Sequence, residues 1–353
     1  MGHPAYGRPC AGPTTRPGRS PGRSTATYCG KAAYALTVTD PSSTVVIATR
    51  NNAELVVDAV RSVLDGATLP DELIVVDQSP VLDARVADLA GDPVVKVVHL
   101  TTAGLCAAQN VAVGMARGEA LVFTDDDVLV EPRWLEEMLA ALVRGGGRAA
   151  VTGSVLPTSP ETPGGRAIAL ATGADPAVYR GLQARDVLSG NSMAFHRSTF
   201  DECGGFDERL GSGARFAAAG DNDFGYRLLR AGYEIHYVPQ AIVYHRARRT
   251  DHELAASMTR MGRGQGAFLM KHALAGDRHM QRRLLSTVGW WLRRIARRPL
   301  RERNLGGHGD LRYLVAFVGG AVQWCSMRAA DAGRGNRLNR LRSPRRHEAR
   351  REP

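Results

Sequence analysis

The sequence predicts an α/β fold: a mostly parallel sheet flanked by helices, with a helical extension at its C-terminal end. Three observations predict it. Between Ser43 and Phe123, apolar runs of strand length alternate four times with polar loops and helix-periodic segments. The runs are short, β-branched and unbroken by polar residues, as strands buried on both faces are. Past residue 250 the chain turns to arginine-rich segments with helical spacing.

Taken in order, residues 1–40 are rich in Pro, Gly, Arg, Ser and Thr, lack periodicity, and are expected to be disordered. Thr44 to Ala48 (TVVIA) reads as the first strand, followed by a helix with Leu55, Val56, Ala59, Val60 and Val63 on one face. Leu73 to Val76 is the second strand, ended by Asp77-Gln78-Ser79. A helix from about Leu82 to Ala90 and a strand from Val94 to Leu100 follow. A helix from about Cys106 to Ala116 leads to the strand Ala120–Phe123, then Thr124 and three consecutive aspartates, Asp125, Asp126 and Asp127. Glu131-Pro132 opens a helix through Trp134, Leu135, Met138 and Leu142. Tyr233–Tyr237 is a further strand, and Pro239 to His245 runs on from it. These segments place an α/β domain at residues 41–250, a helical extension at 251–330 and a basic disordered tail at 331–353.

The chain has 353 residues, 44% of them hydrophobic, enough for a sizeable core. Its formal net charge of +11 favours phosphorylated small molecules, anionic lipid or nucleic acid as partners, and the excess sits toward the two ends. No interleaved aromatic and basic strand pattern appears, so no nucleic acid is expected. The five cysteines (Cys10, Cys29, Cys106, Cys203 and Cys325) are scattered without a CxxC spacing, against a disulfide framework or structural zinc. With no spanning apolar run and no signal-peptide core, the expected location is the cytoplasm or the inner face of the plasma membrane.

Three adjacent carboxylates at a strand's carboxyl edge read either as a solvated turn capping the next helix or as hard oxygen ligands for Mg²⁺ or Mn²⁺ carrying nucleotide phosphates. A dinucleotide fingerprint is excluded, because the first strand is followed by Thr49-Arg50-Asn51-Asn52-Ala53-Glu54 with no glycine, and no P-loop lysine motif occurs. Asp221 and Asp223 sit at the start of a predicted helix, where carboxylates also serve as caps.

Five stretches, in order, carry a family resemblance: VVIATRNNAE, LIVVDQS, GLCAAQNVAVGMARGEALVFTDDDVLVEPRWLE, GNSMAFHRSTFDECGGFDERLGSG and GDNDFGYRLLRAGYEIHYVPQAIVYH. Together they resemble the family 2 glycosyltransferases, inverting enzymes with the Rossmann-like A-type (GT-A) fold, over about Ser43 to His245. The resemblance implies a nucleotide-diphosphate sugar as donor, a glycan or lipid-linked acceptor, and Mg²⁺ or Mn²⁺ as cofactor. It implies that Thr49 and Arg50 line the nucleotide pocket, that Asp77 accepts a hydrogen bond from the base, and that Asp125 faces the ribose. Asp126 is the variable middle position, and Asp127 holds the metal. Gly190 and Asn191 would present backbone and amide groups to the donor sugar. His245 would coordinate the metal or sit near the diphosphate. Asp221 falls on the position of the general base that takes the acceptor's proton, while Gly220 replaces a glutamate usual in the family.

In the extension, Arg260, Arg263 and Lys271 are expected to touch phosphates. Residues 280–303 are expected to lie on an anionic membrane with Trp290 and Trp291 at headgroup level. Two alternatives stand beside this reading. A sugar nucleotidyltransferase would need a glycine-rich loop after the first strand, which is missing. An inactive scaffold binding membrane or nucleic acid would have no use for Asp77, Asp125, Asp127 and Asp221.

Overall fold

The computed structural model describes residues 41–158, 166–167, 171–246, 248–249, 251–297 and 307–342, and the expectations for residues 1–40 and 343–353 lie outside them. Strands β1 (Ser43–Thr49), β2 (Glu72–Asp77), β3 (Val95–His99) and β4 (Ala120–Asp125) lie parallel, in the spatial order β3-β2-β1-β4. The helices α1 (Ala53–Leu64), α2 (Ala84–Ala87) and α3 (Leu105–Met115) connect them. The helix expected over residues 82–90 is shorter than its pattern. Asp83 caps it by accepting from the Arg85 backbone N–H, and it tightens into a 3₁₀ turn at Asp88–Gly91 before Pro93.

Next come β5 (Val128–Val130), α4 (Trp134–Gly145), β6 (Ala149–Pro157), β7 (Arg166–Ala167), β8 (Ala177–Tyr179), β9 (Ser192–His196) and α5 (Arg197–Cys203). They are followed by α6 (Gly220–Arg230), β10 (Glu234–His245), β11 (Arg248–Arg249), α7 (Asp251–Leu274), α8 (Arg278–Arg297) and α9 (Gly307–Arg342). Among the described residues the large sheet has nine strands, and its main path continues from β4 through β9, β6 and β10 to β5. Beyond β4 it becomes mixed: β9 runs antiparallel to both β4 and β6, and β6 and β10 are parallel. The stretch read as a strand ending at Tyr237 and a run to His245 is one strand. Its register shifts between Val238 and Ile242, where Pro239 cannot donate to the ladder.

Alternation along β1 shows why its residues are uniformly apolar. Val45 and Ile47 join one core with Val60, Leu73, Trp134 and Met138, while Val46 points the other way into a second with Ile74, Phe123, Phe195 and Phe224. Each fully buried side chain of this kind contributes roughly 1.5–3 kcal/mol. The extension has its own cluster, in which Phe268, Phe317 and Trp324 pack against Phe216 and Tyr226. Helices α7 and α9 touch backbone to backbone: a Cβ on Gly266 would fall 1.9 Å from the Phe317 carbonyl oxygen. The expected disorder from residue 331 gives way to helix as far as Arg342, where four arginines and two leucines, good helix formers, outnumber Gly333 and Gly335.

Candidate active site

The parallel strands all end at one edge of the sheet, and a cavity of about 1070 Å³ opens there. Its walls include Thr49 and Arg50 at the end of β1, the aspartate triplet at the end of β4, His245 at the end of β10, and Asp221 at the start of α6. This is the crevice outside the carboxyl ends of strands where ligands of open α/β sheets bind.

The three aspartates have different partners. Asp126 accepts from Thr49 Oγ1 at 2.7 Å and Asn52 Nδ2 at 2.9 Å, which ties the triplet to the loop after β1. Asp125 accepts from Asn191 Nδ2 at 2.8 Å. Asp127 Oδ1 lies 3.4 Å from Nε2 of the buried His245, because β10 pairs antiparallel with β5 and sets His245 opposite Val128. Burial raises the pKa of Asp125, and the charges of Asp127 and Asp126 raise it further. Burial also raises Asp126, against the hydrogen bonds from Thr49 and Asn52.

Asp221 lines the same cavity from the start of α6. Its Oδ2 accepts the Gly190 backbone N–H at 3.0 Å and its Oδ1 the Asn222 backbone N–H at 2.9 Å. Burial outweighs these bonds and raises its pKa. Gly190 and Asn191 therefore clamp the two acidic groups: one holds Asp221, the next holds Asp125. The N–H and amide expected to meet the donor sugar are bonded here to these carboxylates. Ala219, just ahead, adopts a left-handed φ of 69°, the kind of strain that concentrates at functional sites.

The sequence profile of Glycosyl transferase family 2 matches residues 44–202. A curated N-acetylglucosaminyl-diphospho-decaprenol L-rhamnosyltransferase of Mycobacterium tuberculosis is 32% identical over 164 residues, covering 46% of this chain and 43% of that protein. Over residues 44–202 the chain is similar to glycosyltransferase family 2. The match spans less than half the length of that relative. A mannosyltransferase from Pyrobaculum calidifontis, solved with GDP-Man and Mn²⁺, shares the fold at a TM-score of 0.52 and 18% identity, over 81% of this chain and 88% of that one. TarS from S. aureus, solved with UDP, does so at 0.50 and 17%, over 80% and 83%. The expected GT-A architecture is thus the one observed.

Against the family pattern, Gly220 has a local cause. A Cβ at Gly220 would lie 2.3 Å from the Sγ of Cys106, which is buried at the start of α3, so no glutamate fits without rearrangement. Other expected residues fall elsewhere. Asp77 is 1% exposed and is not part of the cavity wall. Ser79 Oγ donates to it at 2.6 Å and itself accepts the Asn51 backbone N–H at 2.8 Å, which braces the loop bearing Arg50. The neighbouring Gln78 lines the cavity, with its amide nitrogen bonded to the carbonyl of Thr102 at 2.6 Å.

Among the three basic residues expected to touch phosphates, Arg260 lines the cavity. Arg263 instead donates to Gln323 Oε1 on α9 at 2.9 Å. Lys271 bridges Asp207 at 2.8 Å and Asp223 at 2.7 Å. Asp223 is completely buried and also bonds Arg227 and His272, so its role is to seat α7 on α6. Trp291 is largely buried and stacks on Tyr313 at 4.4 Å, which removes it from the expected headgroup position and leaves Trp290 exposed.

Sequence reading missed Asp186 and Gln265 as cavity residues. Gln265 Nε2 donates to Asp186 Oδ2 at 2.7 Å, and Asn222 Nδ2 donates to Gln265 Oε1 at 3.0 Å. They lie 79 positions apart outside any recognisable motif, so no local signal marks them.

Among the described residues no group of three or more His, Cys, Asp or Glu side chains is arranged to hold a metal by itself. The donor set still fits one. Asp127 and His245 converge at the cavity, and Mg²⁺-type ions take one or two protein ligands and complete their shell with phosphate oxygens and water.

Proposed function

We propose that the chain transfers a sugar from a nucleotide-diphosphate sugar to an acceptor hydroxyl, with inversion, in the building of a cell-envelope glycan. The observation that carries this reading is the Gly190–Asn191 clamp, which holds Asp125 and Asp221 at one cavity of about 1070 Å³, large enough for donor and acceptor together. Inversion in one step needs a carboxylate on the face opposite the leaving group, and Asp221 is the residue we assign to it. Its raised pKa suits a base, because proton transfer is most effective when the base titrates nearer the working pH.

Thr49 and Asn52 fix the triplet through Asp126, Asn191 orients Asp125 toward the donor, and Arg50 and Arg260 supply positive charge for phosphates. Asp127 and His245 would hold Mg²⁺ or Mn²⁺, which when bound neutralises charge gathering on the departing nucleoside diphosphate. The lipid diphosphate in the name of the mycobacterial relative supports a lipid-linked acceptor, met at the cytoplasmic face of the plasma membrane.

The test is a thermal-shift screen of UDP, GDP, dTDP and their sugars, with and without Mn²⁺, on wild type and Asp127→Ala. A ligand at 100 times its Kd stabilises the fold by about 2.7 kcal/mol. Metal-dependent stabilisation by one nucleotide, lost in the variant, is expected. A folded wild type that no nucleotide stabilises, with or without metal, would leave the inactive-scaffold alternative standing.

A further inference from the structure

On α9, Leu311, Val315, Val318 and Val322 recur at three- and four-residue spacing and are 50%, 63%, 45% and 59% exposed. Leu314, Phe317, Ala321 and Trp324 of the same helix are buried. At 3.6 residues per turn the four exposed side chains fall within a sector of roughly 60°, a continuous apolar stripe along three turns. The stripe points away from the side on which Phe317 meets Gly266 of α7. Contiguous exposed apolar surface of this kind marks an interaction site.

Charge decides what it meets. Between Leu311 and Ala330 the only charged residues are Arg312 and Arg328, both exposed. Helix α8, joined to α9 by the Trp291–Tyr313 stack and the Arg294–Asp310 bond at 2.9 Å, contains no acidic residue. It exposes Arg282, Arg293 and Arg297 beside Leu285 and Leu292, which are 72% and 54% exposed. Pairing these helices with those of a second copy would set two arginine-rich elements against each other, whereas an anionic lipid surface complements them. Among the described residues no helix is long and apolar enough to cross a membrane, so the contact is one of lying on it.

We propose that the Leu311–Val322 stripe of α9, on the arginine-rich pair of helices α8 and α9, docks the chain on an anionic bilayer surface. Tyr313 of α9 and Arg260 and Met261 of α7 line the cavity, so the docking helix also forms part of the cavity wall. A lipid-linked acceptor would reach Asp221 from that side. This last point rests on the function proposed above, and the docking does not.

Flotation of the full chain with phosphatidylcholine vesicles, with and without phosphatidylglycerol, tests the docking. Wild type is expected to float with the anionic vesicles only and to be released by salt. Val315→Asp/Val318→Asp, at exposed positions, should lower the bound fraction at least about tenfold with an unchanged melting temperature. Arg293→Glu/Arg297→Glu should weaken flotation without touching the stripe. Equal flotation with neutral vesicles, or an unaffected Val315→Asp/Val318→Asp chain, would overturn the proposal. So would a wild type that stays at the bottom, and if it sediments there as a dimer that the valine variant dissociates, the face belongs to a second copy. Nucleotide binding in the same preparations reports separately on the donor site, so failed docking and a failed donor reading give different results.

Discussion

Adding a single methyl group at Gly220 should disturb the base and be corrected by a change in a different helix. In Gly220→Ala the new Cβ would lie 2.3 Å from Cys106 Sγ, where ordinary contact distances are about 3.5–4.0 Å. Cys106 is 1% exposed, and the clash forces its Sγ or the start of α6, just before Asp221, to move. Overpacking of this sort costs about 1–3 kcal/mol, and replacing glycine by alanine in a helix returns up to about 1. The net expectation is a loss of roughly 1–2 kcal/mol. Cys106→Ala removes the obstructing sulfur and should restore the Gly220→Ala chain, with a favourable coupling of about 1–2 kcal/mol in a double-mutant cycle measured by urea denaturation. Sugar transfer should follow the same order, because a displacement of about 1 Å can cost about a hundredfold in rate. Additive stabilities, or a Gly220→Ala chain as stable and active as wild type, would refute the claim that Cys106 excludes a side chain at position 220.

Three further outcomes follow from the ionisable groups. Asp221→Asn keeps an acceptor for the Gly190 N–H but cannot take a proton, so transfer should fall by about 10²–10⁴ while nucleotide binding persists. In wild type the acidic limb of the pH–rate profile should lie above the ordinary carboxylate range, because burial raises Asp221, and activity should be lost as pH falls through that value. At the α6–α7 junction, burial opposes ionisation, but the Arg209 hydrogen bond and the Lys271 charge bring Asp207 down to about 2. Asp223 is likewise lowered, since the His272 hydrogen bond and the Lys271 and Arg227 charges overcome its burial. Folded values below the unfolded one of about 4 mean that this stabilisation is complete above pH 4 and is lost as pH falls toward 2. Asp223→Asn should therefore cost roughly 3 kcal/mol at neutral pH and flatten the acid branch of the stability curve, measured by denaturation across pH.

The sequence by itself determined the strands and the chemistry they carry. Val45, Val46 and Ile47 had to be buried on both faces of a sheet, and such a sheet ends its parallel strands at one edge, so Thr49, Arg50 and Asp125–Asp127 were bound to share a crevice. Local spacing is enough for that, because a strand and its loop are contiguous in the chain.

Tertiary structure decided which polar group faces inward. Asp77 and Gln78 are adjacent and equally polar, but one turns under the loop to Ser79 while the other lines the cavity. Asp221 and Asp223 begin the same helix, and only the packing of α7 makes one a cavity carboxylate and the other a buried anchor for Lys271 and His272. The fate of Gly220 hung on Cys106, and Gln265 met Asp186 across 79 positions. Such partners are set by how helices pack, which depends on the whole core and leaves no periodicity in the chain to read.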